Sequence, residues 1–194
     1  MQQNYPIFLA SKSPRRREIL SIMGLTFTVV SSDADEVTSE TEPEKLVEEL
    51  SLRKALGTRV TDPEAMVIGS DTVVSYAGRI LGKPKDEEEA FSMLKMLSGN
   101  VSSVYTGVTL FFPYKDKPPV TFHTRTEVVF DTLTDAEILS YIKTGEPMDK
   151  AGAYGIQGTF GKHIIEIRGD YYNVMGLPMH DLYKKLKEEN IIFI

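Results

Sequence analysis

Short apolar runs alternate with capped helical patterns along the whole chain, and this alternation restricts the fold more than any other feature. Ile7-Phe8-Leu9-Ala10 reads as a buried strand, and Ser13 (N-cap) with Pro14 (first helical residue) opens a helix expected over about 14–24. Phe27–Val30 is a second strand. Thr41-Glu42-Pro43-Glu44 reads as a capping box, starting a helix to about Val60. Met66–Gly69 is another buried strand, and Asp71–Leu81 a hairpin turning at Ala77-Gly78. Asp86 caps a helix that stops at Ser98-Gly99, and residues 101–112 and 120–131 alternate as two strands. Thr134-Asp135-Ala136-Glu137 is a second capping box, opening a helix to about Lys143. After a Gly-rich irregular stretch, 145–161, come a strand at Ile164–Ile167, one last helix over about 174–189 and a closing strand at 191–194. This order predicts an α/β chain with both parallel and antiparallel pairing. We expect residues 1–194 to form one domain with two lobes.

Bulk properties exclude several function classes. There is no cysteine, so disulfides, thiol nucleophiles and thiolate metal sites are ruled out. The start, MQQNYPIFLAS, lacks a basic n-region, and no run approaches the ~20 apolar residues of a membrane span. A cytoplasmic protein without membrane contact is expected. The net charge of −6 argues against nucleic acid as a partner. An anionic ligand would need a local cluster of positive charge.

Such a cluster stands at the first predicted helix. Arg15, Arg16 and Arg17 fill its first turn, where the helix dipole is already positive, so each costs something like ~0.3–1 kcal/mol if exposed. The same turn offers free backbone N–H groups to an anion. With Ile19, Leu20, Ile22 and Met23 as the apolar stripe, Arg15 and Arg16 fall on the inward side and Arg17 on the outward side. The competing reading is three solvated surface charges.

Asp71 lies between two apolar runs in Val67–Val74. A carboxylate there must be paired, metal-bound or at a solvent-reaching strand end, where it can hold Mg²⁺ or orient a water. A turn-capping aspartate is the alternative. Lys83, between Gly82 and Pro84, suits a phosphate. Asp33, Asp35 and Glu36 follow a strand, with Asp33 and Asp35 on one face if the alternation continues; three acids there suit a hard cation or a plain acidic loop. In Asp149–Gly158, small residues bare the backbone while Lys150, Tyr154 and Gln157 carry polar ends. Gln157 has a donor and an acceptor suited to a base edge. His123, His163 and His180 have no metal-ligand spacing and read as structural or surface residues. Together these features suit a nucleotide polyphosphate attacked by water, with arginine, lysine and a metal stabilising charge.

Leu9-Ala10-Ser11-x-Ser13-Pro14-Arg15-Arg16, Asp35-Glu36, Gly69–Val73, Leu81–Pro84 and Asp149–Gly158 resemble, in order and over nearly the whole chain, the Maf family of house-cleaning nucleoside triphosphate pyrophosphatases. The resemblance implies a two-lobed α/β fold, a mixed sheet flanked by helices, related to inosine triphosphate pyrophosphatases, with the active site in the central cleft. It implies hydrolysis of a nucleoside triphosphate to the monophosphate and pyrophosphate with a divalent metal cation, Mg²⁺ or Mn²⁺. Asp71 corresponds to the family's proton acceptor and metal-side carboxylate, together with Glu36 on the metal. Ser11, Ser13, Arg15, Arg16, Lys54 and Lys83 correspond to the phosphate-binding residues. Apart from the resemblance, Lys54 reads as a surface lysine on a predicted helix. Arg15, Thr72 and Gln157 resemble the branch acting on dTTP and UTP. A homodimer is suggested by the family alone. The family's association with inhibition of septum formation supplies the alternative: a nucleotide- or nucleic-acid-binding regulator without turnover.

Overall fold

The computed structural model describes residues 2–193. In chain order the elements are β1 (Gln2–Gln3), β2 (Ile7–Leu9), α1 (Pro14–Ile22), β3 (Phe27–Val29), α2 (Pro43–Leu56) and β4 (Met66–Tyr76). Then come β5 (Arg79–Leu81), α3 (Glu87–Leu97), β6 (Val101–Phe111), β7 (Val120–Phe130) and α4 (Asp135–Ile142). Three 3-10 turns lie between Glu146 and His163, followed by β8 (Ile164–Arg168), α5 (Tyr171–Met175), α6 (Met179–Glu188) and β9 (Ile192–Phe193). The main sheet runs β3-β2-β4-β6-β7-β8, with β5 on β4, and β1 pairs antiparallel with β9. β2 is parallel to both β3 and β4, while β4–β5 and β7–β8 are antiparallel, so the mixed α/β expectation holds.

The chain divides into two compact units. One holds the chain up to Thr72, Thr106–Thr124 and the chain from Gly176; the other holds Val73–Tyr105 and Arg125–Met175. β4, β6 and β7 each pass from one unit to the other along their length.

In the first unit α2 packs on the sheet at very short range, because two glycines leave room for it. A Cβ added at Gly69 in β4 would lie 2.2 Å from the Ser51 carbonyl oxygen, and one at Gly107 in β6 would lie 2.1 Å from that of Val47. The buried face of α2 carries Leu46, Val47, Leu50, Ser51 and Ala55. Ser51 Oγ sits 2.9 Å from Thr109 Oγ1 of β6, satisfying a fully buried hydroxyl. The second unit is built around aromatic side chains. Phe130 packs edge to face on both Tyr154 and Phe160, with Tyr141 against Phe160, in one core with Leu94, Leu97 and Ile138.

The predicted caps at Ser13, Asp86 and Thr134 are present, the last as a full capping box. The expected box at Thr41 is not. The helix begins at Pro43, and the carboxylate of Glu40 accepts from the N–H groups of Thr41 and Glu42 instead. The single last helix is in fact two, α5 and α6, broken at Gly176-Leu177-Pro178, where Gly176 has φ of +117° and proline prevents continuation. The closing strand is short, and Ile194 lies outside the described residues.

Candidate active site

The first unit brings together Ser11, Ser13, Arg15, Arg16, Glu36, Lys54, Asp71 and Thr72; Lys83 and Gln157 belong to the second. At the start of α1, Ser13 Oγ accepts from Arg16 N, and Ser11 Oγ accepts from Ser13 N at 3.2 Å. Arg15 and Arg16 are half-buried and Arg17 is exposed, as the helical wheel requires. The Arg16 guanidinium is held on all three nitrogens: Nε donates to Gly176 O at 2.8 Å, Nη1 to Ser11 Oγ at 3.2 Å and Nη2 to Thr72 Oγ1 at 3.0 Å. Burial lowers its pKa from the usual arginine value, Asp71 opposes that shift, and Arg15 adds to it. All three acceptors are neutral, so the positive charge is placed without being cancelled by a direct partner.

Thr72 Oγ1 is in turn 3.0 Å from Thr106 Oγ1, a fully buried hydroxyl on β6, and Ser70 Oγ donates to Gly176 O at 3.3 Å. Sequence reasoning missed both Gly176 and Thr106. The Gly-x-Pro at 176–178 was the available clue to the first; Thr106, one threonine in an alternating strand, offers none.

β4 alternates, so Gly69 and Asp71 face α2 while Ser70 and Thr72 face Gly176 and Arg16. Lys54 meets Asp71 from α2. At about 100° per residue Lys54 falls within roughly 20° of Val47, in the middle of the buried stripe. Its side chain is 15% exposed, and its Nζ lies 2.6 Å from Asp71 Oδ1 and 3.1 Å from Glu36 Oε1. The surface reading of Lys54 is therefore wrong: the close approach of α2 to β4 turns the lysine inward.

Glu36 reaches this ammonium from an exposed loop that α2 ties down. Arg53 donates to the carbonyls of Val37 (2.7 Å) and Asp35 (3.4 Å), and Thr38 Oγ1 donates to Glu49 at 2.8 Å. Of the two readings of these acids, a hard-cation cluster and a plain acidic loop, the three-acid cluster does not form. Asp33 pairs with Arg59 and Asp35 caps the Val37 N–H, so only Glu36 joins Asp71. Among the described residues no group of three or more His, Cys, Asp or Glu could hold a metal by itself. Two carboxylates addressing one small volume do fit a hard divalent cation that takes its remaining ligands from water and phosphate oxygens, as Mg²⁺ commonly does.

In the second unit, Lys83 is exposed just after β5 and Gln157 is half-buried. Their two segments touch: Gly152 N donates to Gly82 O at 3.0 Å. Lys150 and Tyr154 are not the ligand-facing ends they resemble. Lys150 Nζ donates to Glu146 O and Asp149 Oδ1. Tyr154 is buried, its hydroxyl 3.3 Å from Ser102 Oγ and its pKa raised by burial. Gln157 is the polar end that remains of the three. Of the histidines, His123 pairs with Glu48 and His163 packs on Phe160.

The sequence profile described as Maf-like protein matches residues 6–189. The chain belongs to the Maf family. It is 49% identical over 191 residues to the dTTP/UTP pyrophosphatase of Lachnoclostridium phytofermentans, covering 96% of each chain. It is 50% identical over 184 residues to the dTTP/UTP pyrophosphatase of Thermoanaerobacter sp. (strain X514), covering 94% of this chain and 96% of that one. Among solved structures, the Staphylococcus aureus Ham1 protein matches with a TM-score of 0.54 at 13% identity, over 95% of this chain and 99% of that one. A HAM1 protein from Coxiella burnetii matches at 0.50, also 13% identical, with the same coverage. At that identity the likeness extends this Maf chain's fold to those proteins and carries nothing about activity.

Proposed function

We propose that this Maf-family chain is a nucleoside triphosphate pyrophosphatase that hydrolyses dTTP and UTP to the monophosphate and pyrophosphate. The observation that carries the reading is the pairing, in one unit, of a carboxylate at Asp71 with a pre-set cationic fork at Arg16. Near-full-length identity to proteins named for that activity supports it. Simple phosphate binding is poorly served by Asp71, since a carboxylate repels a phosphate unless a cation or a water stands between them.

In this reading Asp71 accepts the proton of a water that attacks the α-phosphorus. The P–O bond to the β-phosphate breaks, and pyrophosphate leaves. Arg15, Arg16, Ser11, Ser13, Lys54 and Lys83 hold the phosphates and spread the developing charge. Glu36 and Asp71 would hold a divalent cation, Mg²⁺ or Mn²⁺, which when bound neutralises phosphate charge as a Lewis acid. Gln157 offers a donor and acceptor for the pyrimidine O4/N3 edge, and Arg15 and Thr72 complete the selection.

The test is incubation of the folded protein with a panel of triphosphates and Mg²⁺, following pyrophosphate and monophosphate. Release from dTTP and UTP ahead of purine triphosphates is expected. No release at micromolar enzyme favours the binding regulator.

Thr106 gives a finer prediction. Thr106→Val keeps the buried shape but removes the hydroxyl beside Thr72, and one such hydrogen bond corresponds to a fall in kcat/KM of roughly threefold to tenfold. Thr106→Ser should restore most of it, and both variants should melt close to the parent. Equal losses in the two variants would reduce Thr106 to a packing residue.

A further inference from the structure

We propose that the Lys54 ammonium competes with a divalent cation for Glu36 and Asp71, so that metal binds well only together with a triphosphate that takes over the lysine. The inference rests on the pyrophosphatase reading for the identity of the polyanion, and on the geometry of one unit for the rest.

The competition follows from position. The same two carboxylates that suit the metal are the two that Lys54 Nζ contacts, at 2.6 and 3.1 Å. An ammonium and a dication cannot share that volume. Nor can the lysine withdraw by moving its backbone. α2 lies against Gly69 and Gly107 at distances that admit no Cβ, so Lys54 is carried by a fixed helix. Glu36 is presented by a loop that Arg53 holds through two carbonyls. The ammonium must therefore swing on its own side chain to release the acids.

Charge decides when it does so. Around the pair of acids stand Lys54 and Arg16, and Arg16 feels both Asp71 and Glu36. Two negative charges thus face two positive ones, a balance that gives a bare dication little net attraction. A triphosphate changes the balance: it brings several negative charges and new acceptors for the ammonium, and it frees the carboxylates for the ion. Metal and nucleotide then favour each other's binding by the same factor, as linkage requires.

The experiment titrates the full chain with Mn²⁺ in the absence of nucleotide, reading free Mn²⁺ by electron paramagnetic resonance. Lys54→Met should bind Mn²⁺ at least about fivefold more tightly than the parent, the low end of ordinary coupling between sites. Adding Glu36→Gln to that variant should abolish the gain. Affinity for Mn²⁺ equal to or weaker than the parent's overturns the proposal, as does a gain that survives Glu36→Gln. If Lys54→Met gives no native melting transition, Lys54→Gln, which keeps length and polarity, is read by the same criterion. A second titration adds a non-hydrolysable dTTP analogue. Its enhancement of Mn²⁺ binding should be larger in the parent than in the variant, and equal enhancement overturns the coupling. The nucleotide-free titration is independent of turnover, so its result stands whether or not the chain hydrolyses dTTP.

Discussion

Asp71→Asn is expected to lower kcat on dTTP by about a hundredfold to ten-thousandfold, the range that a positioned proton acceptor supplies. Triphosphate binding measured without added metal should survive. The amide is nearly isosteric, and its oxygen can still accept from Lys54 at the place where Asp71 Oδ1 does so at 2.6 Å. The fold should therefore hold, while the capacity to take a proton is gone. The fork at Arg16 is untouched, because its three acceptors are Gly176, Ser11 and Thr72 rather than Asp71. Single-turnover and steady-state rates, with calorimetric binding of a non-hydrolysable dTTP analogue, separate the two effects. Full turnover in a folded Asn variant removes Asp71 from the chemistry. Loss of binding together with rate would make it a structural partner of Lys54.

The parts of this site differ in how readable they are from residues alone, and the difference is physical. The α1 N-terminus is legible because its logic is local: Ser13 caps Arg16 three residues on, and the wheel separates Arg15 and Arg16 from Arg17 within one turn. Asp71 is legible as an anomaly, a carboxylate in an apolar strand. Lys54 is harder, although it lies in the middle of the α2 stripe formed by Val47, Leu50 and Ser51. A lysine at such a position more often snorkels outward than turns in. What turns it in is a contact across the sheet, made by glycines in β4 and β6 that are distant from it in the chain. Glu36 is harder still, since its loop is held by long-range contacts from Arg53 and Glu49 and has no periodicity of its own. Gly176 was hidden by reading one helix across a Gly-x-Pro break, and that break is what aims its carbonyl at Arg16. Tertiary packing hides Lys54 and Glu36, whereas the Gly-x-Pro break and the helix start at Pro43 are local signals that the sequence reading takes wrongly.

Gly107→Ala should be among the most destabilising single-methyl additions in the chain, and Gly69→Ala should behave alike. The added Cβ at 107 would stand 2.1 Å from Val47 O and 2.3 Å from Val47 C, both main-chain atoms of α2. No side-chain rotation relieves such a clash; the helix itself must move. Overpacking of this kind costs up to ~3 kcal/mol or more. For a chain of this size that corresponds to a fall in melting temperature of roughly 6–12 °C. Gly82→Ala is the control, because a Cβ there meets nothing within 4 Å. Scanning calorimetry of the three variants ranks them directly, and a Gly107→Ala variant that melts with Gly82→Ala would show that α2 is free to lift from the sheet. Activity carries the argument one step further. α2 bears Lys54, and a helix lifted by even one ångström takes the ammonium away from a carboxylate it now meets at 2.6 Å. The surviving folded fraction of Gly107→Ala should therefore be slower per molecule than the parent, although residue 107 has no polar side chain and touches no proposed ligand group. The spacing that lets the helix lie flat is the same spacing that lets the lysine reach the aspartate.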